Sequence, residues 1–197
     1  MDASEKKFFD EIASTWDSME IHSLPPKIIS ILGRMDLTKG MDILDLGTGT
    51  GVLLPYLLEM TGKEGSVTGI DASDGMLDEA RKKLGTLNSN LQLVLQDFEE
   101  TGVSGKYDRI LLYCVYPHLS TPIATLRRLV NDNLKDGGKL FIAFPTKEDF
   151  INSIHREKKI ESGLLPSSGD LTEGLKSDGF NARDLSEASD YIVCIEK

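Results

Sequence analysis

Three glycines within five residues mark the stretch of this chain best suited to chemistry. In Ile43-Leu44-Asp45-Leu46-Gly47-Thr48-Gly49-Thr50-Gly51-Val52-Leu53 an apolar strand runs into a glycine turn and then into a helix. Glycine lets the backbone approach a ligand closely, and a helix start offers N–H groups with no partner of their own. Twenty residues after Gly51 a second apolar run ends in Asp71. A carboxylate at that point can accept both hydroxyls of a ribose. A dinucleotide fingerprint needs its third glycine at position 52, which is Val52. Asp45 precedes the glycines by two residues; its charge repels a pyrophosphate and suits an ammonium or sulfonium ligand. The competing reading is a tight turn needed only for strand–helix packing.

These residues need a frame, and the apolar pattern supplies one. Phe8, Phe9, Ile12, Trp16 and Met19 recur at helical spacing, and a second helix follows Leu24-Pro25-Pro26 over about 27–35. Strand and helix then alternate. Strands are expected at 41–46, 66–70, 91–95, 107–115 and 139–144, with helices over 52–60, from a Ser73 cap to Leu84, over 122–134 and over 147–158. Asp136-Gly137-Gly138 reads as a tight turn before the fifth strand. A helix over 168–177 and two short strands, 181–185 and 191–196, close the chain, the last hairpinning back antiparallel. Repeated alternation means a mostly parallel sheet covered by helices on both faces. Residues 1–36 form a helical cap and 37–197 the sheet and helices of a single domain.

The motifs resemble the class I S-adenosylmethionine-dependent methyltransferases, in particular the small-molecule group containing the ubiquinone/menaquinone C-methyltransferases. Asp45-Leu46-Gly47-Thr48-Gly49-Thr50-Gly51 matches the family's first motif, and Gly69-Ile70-Asp71-Ala72-Ser73-Asp74-Gly75-Met76-Leu77 is similar to its second. Phe9-Asp10-x-x-Ala13-x-x-Trp16-Asp17 resembles that group's N-terminal signature. The resemblance implies a Rossmann-like seven-stranded sheet, order 3-2-1-4-5-7-6 with strand seven antiparallel. It implies S-adenosyl-L-methionine as cofactor, held by Asp45, Gly47, Thr48, Gly49, Gly51, Asp71 and Ala72. Met76 and Phe98 would pack near the adenine, and Asp97 would take its amino group.

In such sheets ligands sit beyond the carboxyl ends of the strands. The fourth strand ends Tyr113-Cys114-Val115-Tyr116-Pro117-His118, without the Asn/Asp-Pro-Pro-aromatic motif of nucleic-acid and protein amino-methyltransferases. Ala143-Phe144-Pro145 ends the fifth, so no magnesium is expected. The only histidines, His22, His118 and His155, fall on segments that line the substrate side of the resembled fold. Tyr113, His118 and His155 are the catalytic candidates, as general base or orienting groups. Surface histidines, or a three-histidine metal site whose spacing is not diagnostic, stay open.

The expected activity is methyl transfer to a small-molecule acceptor by in-line displacement, with Phe8, Phe9 and Trp16 as lid. The alternatives are a non-catalytic cofactor-binding scaffold and an NAD-dependent oxidoreductase, the latter disfavoured by Val52 and Asp45. The chain has 22 Lys and Arg against 32 Asp and Glu, a net charge of −10. That excess repels nucleic acid and anionic membrane surfaces, so neither is expected as a partner. The opening residues carry no secretory pattern, and Cys114 and Cys194 read as buried reduced thiols, so a cytoplasmic location is expected. Oligomeric state has no signature here.

Overall fold

The computed structural model describes residues 3–18, 25–84, 89–158 and 163–197. His22, Met19 and Leu24 lie outside these residues. Seven strands form: β1 Asp42–Leu46, β2 Ser66–Asp71, β3 Leu91–Leu95, β4 Tyr107–Tyr113, β5 Leu134–Phe144, β6 Asn181–Asp184 and β7 Tyr191–Glu196. They lie in one sheet in the order β3-β2-β1-β4-β5-β7-β6. The β1 to β5 pairings are parallel, and β7 runs antiparallel to both β5 and β6. Both the order and the reversed last strand are as the motifs imply.

Alternation along the central strands builds a core on each face. Leu44, Leu46, Ile110, Leu112, Leu140 and Ile142 pack on one side. Ile43, Leu111, Tyr113, Phe141 and Ala143 pack on the other. A strand covered on both faces reads as a continuous apolar run because each side chain finds a helix above or below. The helices are α1 Ala3–Ile12, α2 Pro25–Leu32, α3 Leu54–Thr61, α4 Asp74–Leu84, α5 Phe98–Thr101, α6 Pro122–Arg128, α7 Glu148–Lys158 and α8 Ser168–Ser177. None of them is long and apolar enough to cross a membrane.

The departures from expectation have local causes. The first helix ends at Ile12 and continues as a 3₁₀ segment, Ala13–Ser18. There the Thr15 hydroxyl donates to the Ile12 carbonyl at 3.1 Å and the Ser18 hydroxyl to that of Thr15 at 2.6 Å. Hydroxyls that take up carbonyls three residues back favour the tighter turn. In α2, Ile28, Ile31 and Leu32 are buried, but Ile29 is 53% exposed on the outer face. The expected turn at Asp136-Gly137-Gly138 lies inside β5, where Gly137 has φ +74° and the register with β4 shifts between Tyr107 and Arg109. One turn of helix, α5, was not expected; four residues are too few to show a period.

This frame levels the strand ends that matter. Asp45 pairs with Gly69 of β2 and Leu111 of β4, and Leu46 with Ile70 and Leu112. The loops after β1, β2, β4 and β5 therefore open toward one crevice, and the N-terminal segment crosses it.

Candidate active site

A cavity of about 310 Å³ opens beyond the carboxyl ends of the strands, within the size range of small-ligand sites. On its β1–β2 side lie the glycine loop and two carboxylates. Asp45, at 1% exposure, accepts a hydrogen bond from the Thr48 hydroxyl at 2.7 Å. Burial, and to a lesser extent the nearby Asp71, pushes its carboxyl up to about 7. Asp71 ends β2 and accepts the Gly49 N–H at 2.7 Å and the Ser73 N–H at 2.9 Å. Burial raises its carboxyl too, against the pull of those N–H groups. Two buried carboxylates side by side are costly, and a cation between them relieves both.

Gly47 and Gly49 adopt φ of +67° and +55°, the left-handed region that favours glycine. A Cβ on Gly47 would fall 2.4 Å from Val115 Cγ2. One on Gly49 would meet only the Gly47 carbonyl, at 4.0 Å, so the loop leaves space there. Thr48, Gly49, Ala72 and Met76 line the cavity beside these acids. Gly51 does not: its Cβ position faces Leu54 Cδ1 at 3.0 Å and Ala80 Cβ at 3.2 Å, so it allows α3 and α4 to pack closely. Asp97 and Phe98 also line the cavity. Asp97 has a structural task as well, since its carboxylate caps α5 by accepting the Glu99 N–H at 3.0 Å.

The β4–β5 side carries the catalytic candidates. Tyr113, 7% exposed, ends β4, and burial pushes its phenol up, which keeps it protonated and unfit as a base at neutral pH. Cys114 has φ +61°, outside the usual range for a side chain at Cβ, and its N–H donates to the Ala143 carbonyl at 2.9 Å. That turn aims the chain into Val115 and a short helical turn, Tyr116–His118. Cys114 is half-buried as a residue, where a fully buried cysteine was expected: it packs against the core and also lines the cavity, and burial of its sulfur pushes its ionisation up. Cys194 is buried.

The His118 and His155 rings come together, with centroids 5.3 Å apart. Burial holds His155 below the usual imidazole range, and the neighbouring His118 adds to this. Among the described residues no group of three or more His, Cys, Asp or Glu side chains is arranged to hold a metal.

The N-terminal segment closes the cavity. Phe8, Phe9 and Trp16 line it, and Phe9 meets both Trp16 and His118 edge-on, at 5.7 and 5.4 Å. Three carboxylates fasten this segment. Asp10 accepts the Ser73 hydroxyl at 2.5 Å and the Gly75 N–H at 3.1 Å. The Ser73 hydroxyl holds the Asp10 carboxyl below its ordinary range. Gly75 admits this approach, because a Cβ there would lie 3.0 Å from the Asp10 carbonyl oxygen. Asp17 accepts the Thr50 hydroxyl at 2.5 Å and pairs with Lys83. Glu5 reaches His118, Oε1 to Nδ1 at 3.1 Å. Asp10 and Asp17 belong to the signature noted in the sequence. Glu5 carried no signal, because its partner lies 113 residues away.

Residues 43–138 match the family profile described as a methyltransferase domain. A malonyl-[acyl-carrier protein] O-methyltransferase of Priestia megaterium is 26% identical over 166 residues, covering 83% of this chain and 60% of that protein. A ubiquinone biosynthesis O-methyltransferase of Vibrio parahaemolyticus is 30% identical over 153 residues, covering 73% and 63%. The chain carries a methyltransferase domain and is similar to S-adenosylmethionine-dependent methyltransferases. It spans about three fifths of the length of these two relatives. In fold it is similar to a SAM-dependent methyltransferase of Aquifex aeolicus, with a TM-score of 0.67 at 23% identity over 100% of this chain and 97% of that one. The residues present suit the family's cofactor, S-adenosylmethionine. Its two cationic groups and two ribose hydroxyls match a pair of buried carboxylates beside an open glycine loop.

Proposed function

We propose that this chain transfers a methyl group from S-adenosylmethionine to a small-molecule acceptor inside the cavity. The observation that carries the reading is the division of one cavity between two sets of residues. Acids ready for a cation stand at β1–β2–β3, and an imidazole pair stands beyond β4–β5. Asp45 would face the cationic end of the cofactor, and Asp71 the ribose. Met76, Phe98 and Asp97 would surround the adenine, and the Gly47–Gly49 loop would run alongside. When bound, the cofactor supplies a methyl group made electrophilic by its sulfonium.

The protein's own part is alignment and exclusion of water. Phe8, Phe9 and Trp16 cover the crevice, with Asp10 and Asp17 tied to the loops that follow β2 and β1. His118 and His155 orient the acceptor and handle its proton. A concave cavity of this size, partly covered by a short helical cap, favours a small acceptor over a polymer.

Two measurements test the reading. Calorimetry should give micromolar-range S-adenosylmethionine affinity, about −8 kcal/mol. A mixed panel of small acceptors should release S-adenosylhomocysteine. Tight binding of the cofactor with no turnover on any acceptor would leave a binding scaffold and refute catalysis.

A further inference from the structure

The β4–β5 half of the cavity carries a chemistry of its own. Its walls are apolar: Val115, Leu119, Phe144, Ile151 and Ile154 contribute, and Phe150, 47% exposed, forms the rim. No Lys or Arg lines the cavity among the described residues, whereas Asp45, Asp71, Asp97 and Glu99 do. An acceptor that enters as a carboxylate or phosphate would lose its hydration and find no lysine or arginine among the described lining residues to replace it.

The imidazole is prepared for a proton. A carboxylate can only accept, so the Glu5 contact at 3.1 Å puts the ring hydrogen of His118 on Nδ1 and leaves the lone pair on Nε2. Both side chains are largely shielded, 16% and 12% exposed. The Phe9 edge covers the ring at 5.4 Å. Among the described residues the titratable groups shown in contact with His118 are Glu5 from α1 and His155 from α7, while Tyr113 and Cys114 at the end of β4 and Glu99 from α5, which accepts the Ser120 and Thr121 N–H groups, line the same cavity. Of these, only Glu5 meets the ring with a carboxylate.

We propose that the acceptor is an uncharged compound with an apolar body, methylated on a weakly acidic phenolic hydroxyl or thiol. His118 takes the proton, and Glu5 is the positioning residue that holds His118 as the base. This rests on the methyl-transfer reading above. In the step, the acceptor's O–H or S–H bond breaks and its proton passes to His118 Nε2. The freed electron pair forms the bond to the methyl carbon. That carbon's bond to the cofactor sulfur breaks, and its electron pair stays on sulfur. Positive charge thus moves from sulfur to an imidazolium beside Glu5, and the proton then leaves to solvent. His155, held neutral by burial, does not oppose the new charge.

The test uses three probes on one ring system, 1-naphthol, 1-naphthalenethiol and 1-naphthoate, with saturating S-adenosylmethionine. The naphthol or the thiol should turn over, which also tells oxygen from sulfur, and the naphthoate should not. Preferential methylation of the naphthoate, or rejection of both neutral probes by cofactor-loaded protein, overturns the acceptor class. The methyl-transfer reading itself fails separately, by lack of cofactor binding or of turnover on any acceptor.

Glu5→Gln is then assayed on the probe that turns over. The amide oxygen can still accept from Nδ1–H, but the charge that favours the imidazolium is gone. We expect kcat to fall about tenfold or more and the acid limb of the kcat profile to move to lower pH, with cofactor affinity within a few-fold. A fall in kcat with an unmoved acid limb would make Glu5 merely structural. Trp16, the only tryptophan, reports by fluorescence whether the N-terminal segment stays docked. An undocked Glu5→Gln protein would equally overturn the positioning role.

Discussion

Cofactor binding should weaken as the pH falls, and Asp45 sets the size of the effect. Its carboxyl is pushed up to about 7, chiefly by burial. The ionised fraction therefore falls from about nine tenths at pH ~8 to about one tenth at pH ~6. A cationic ligand needs the carboxylate, so below about pH 7 binding must first expel a proton. Apparent affinity then drops by about tenfold between those two conditions, or ~1.4 kcal/mol. Calorimetry in two buffers of different ionisation heat measures both quantities, and about one proton should be released per ligand bound at the acid end. Asp45→Asn is the control. Its amide oxygen can still accept from the Thr48 hydroxyl, so the loop should hold, and titrating it in parallel subtracts the ligand's own ionisation. Equal pH slopes for the two proteins would refute the pairing of Asp45 with the cationic end.

Without ligand, the same carboxyl makes the wild type less stable as the pH rises. Its folded value lies above the unfolded 3.8, so the stability it contributes is complete below about pH 4 and lost on rising through about 7. Thermal melts should show Asp45→Asn gaining on the wild type across that window; parallel curves would contradict the burial assigned to Asp45. Asp71→Asn should cost cofactor roughly 1.5–3 kcal/mol of affinity, and unchanged binding in a folded variant would remove Asp71 from the ribose. The three loop glycines should separate in a binding-and-melting comparison. Gly49→Ala should lose cofactor affinity with a modest change in Tm, whereas Gly47→Ala and Gly51→Ala should lose stability through Val115 and through Leu54 and Ala80. Normal binding by folded Gly49→Ala would reduce the loop to a turn. His118→Ala should lower turnover by about 10²-fold or more while leaving cofactor affinity within a few-fold, and full activity would exclude it as the base.

The sheet was legible because its signals are local and strong. Runs such as Ile110–Tyr113 and Leu140–Phe144 are continuous and apolar, and the Gly47–Gly51 turn falls between a strand and a helix. That Asp45, Gly47, Gly49 and Asp71 line one cavity was legible for the same reason: they lie at the ends of consecutive strands. The position of His118 beside His155 followed from β4 and β5 being neighbours. What stayed hidden depends on side chains meeting across long separations or on short-range geometry. Glu5 looks like any first-turn acid until α1 crosses the crevice. The capping role of Asp97 stayed hidden because the one-turn helix it caps is too short to leave a pattern. The left-handed turn at Cys114 has no sequence mark at all, since cysteine is not a residue that favours it.

The three carboxylates that fasten the N-terminal segment also give it an order of assembly. Asp17 meets Thr50 across 33 residues, Asp10 meets Ser73 across 63, and Glu5 meets His118 across 113. On the ribosome this segment emerges before its anchor points, which appear one after another behind it. The entropy of closing a chain segment grows with its length, so the nearest anchor is the cheapest to reach. The segment can therefore zip from Trp16 toward Ala3, its N-terminal tip settling only after β4 has been made and placed. The last of the three contacts to form is the one that touches the imidazole, so it becomes possible only after four of the seven strands have been made.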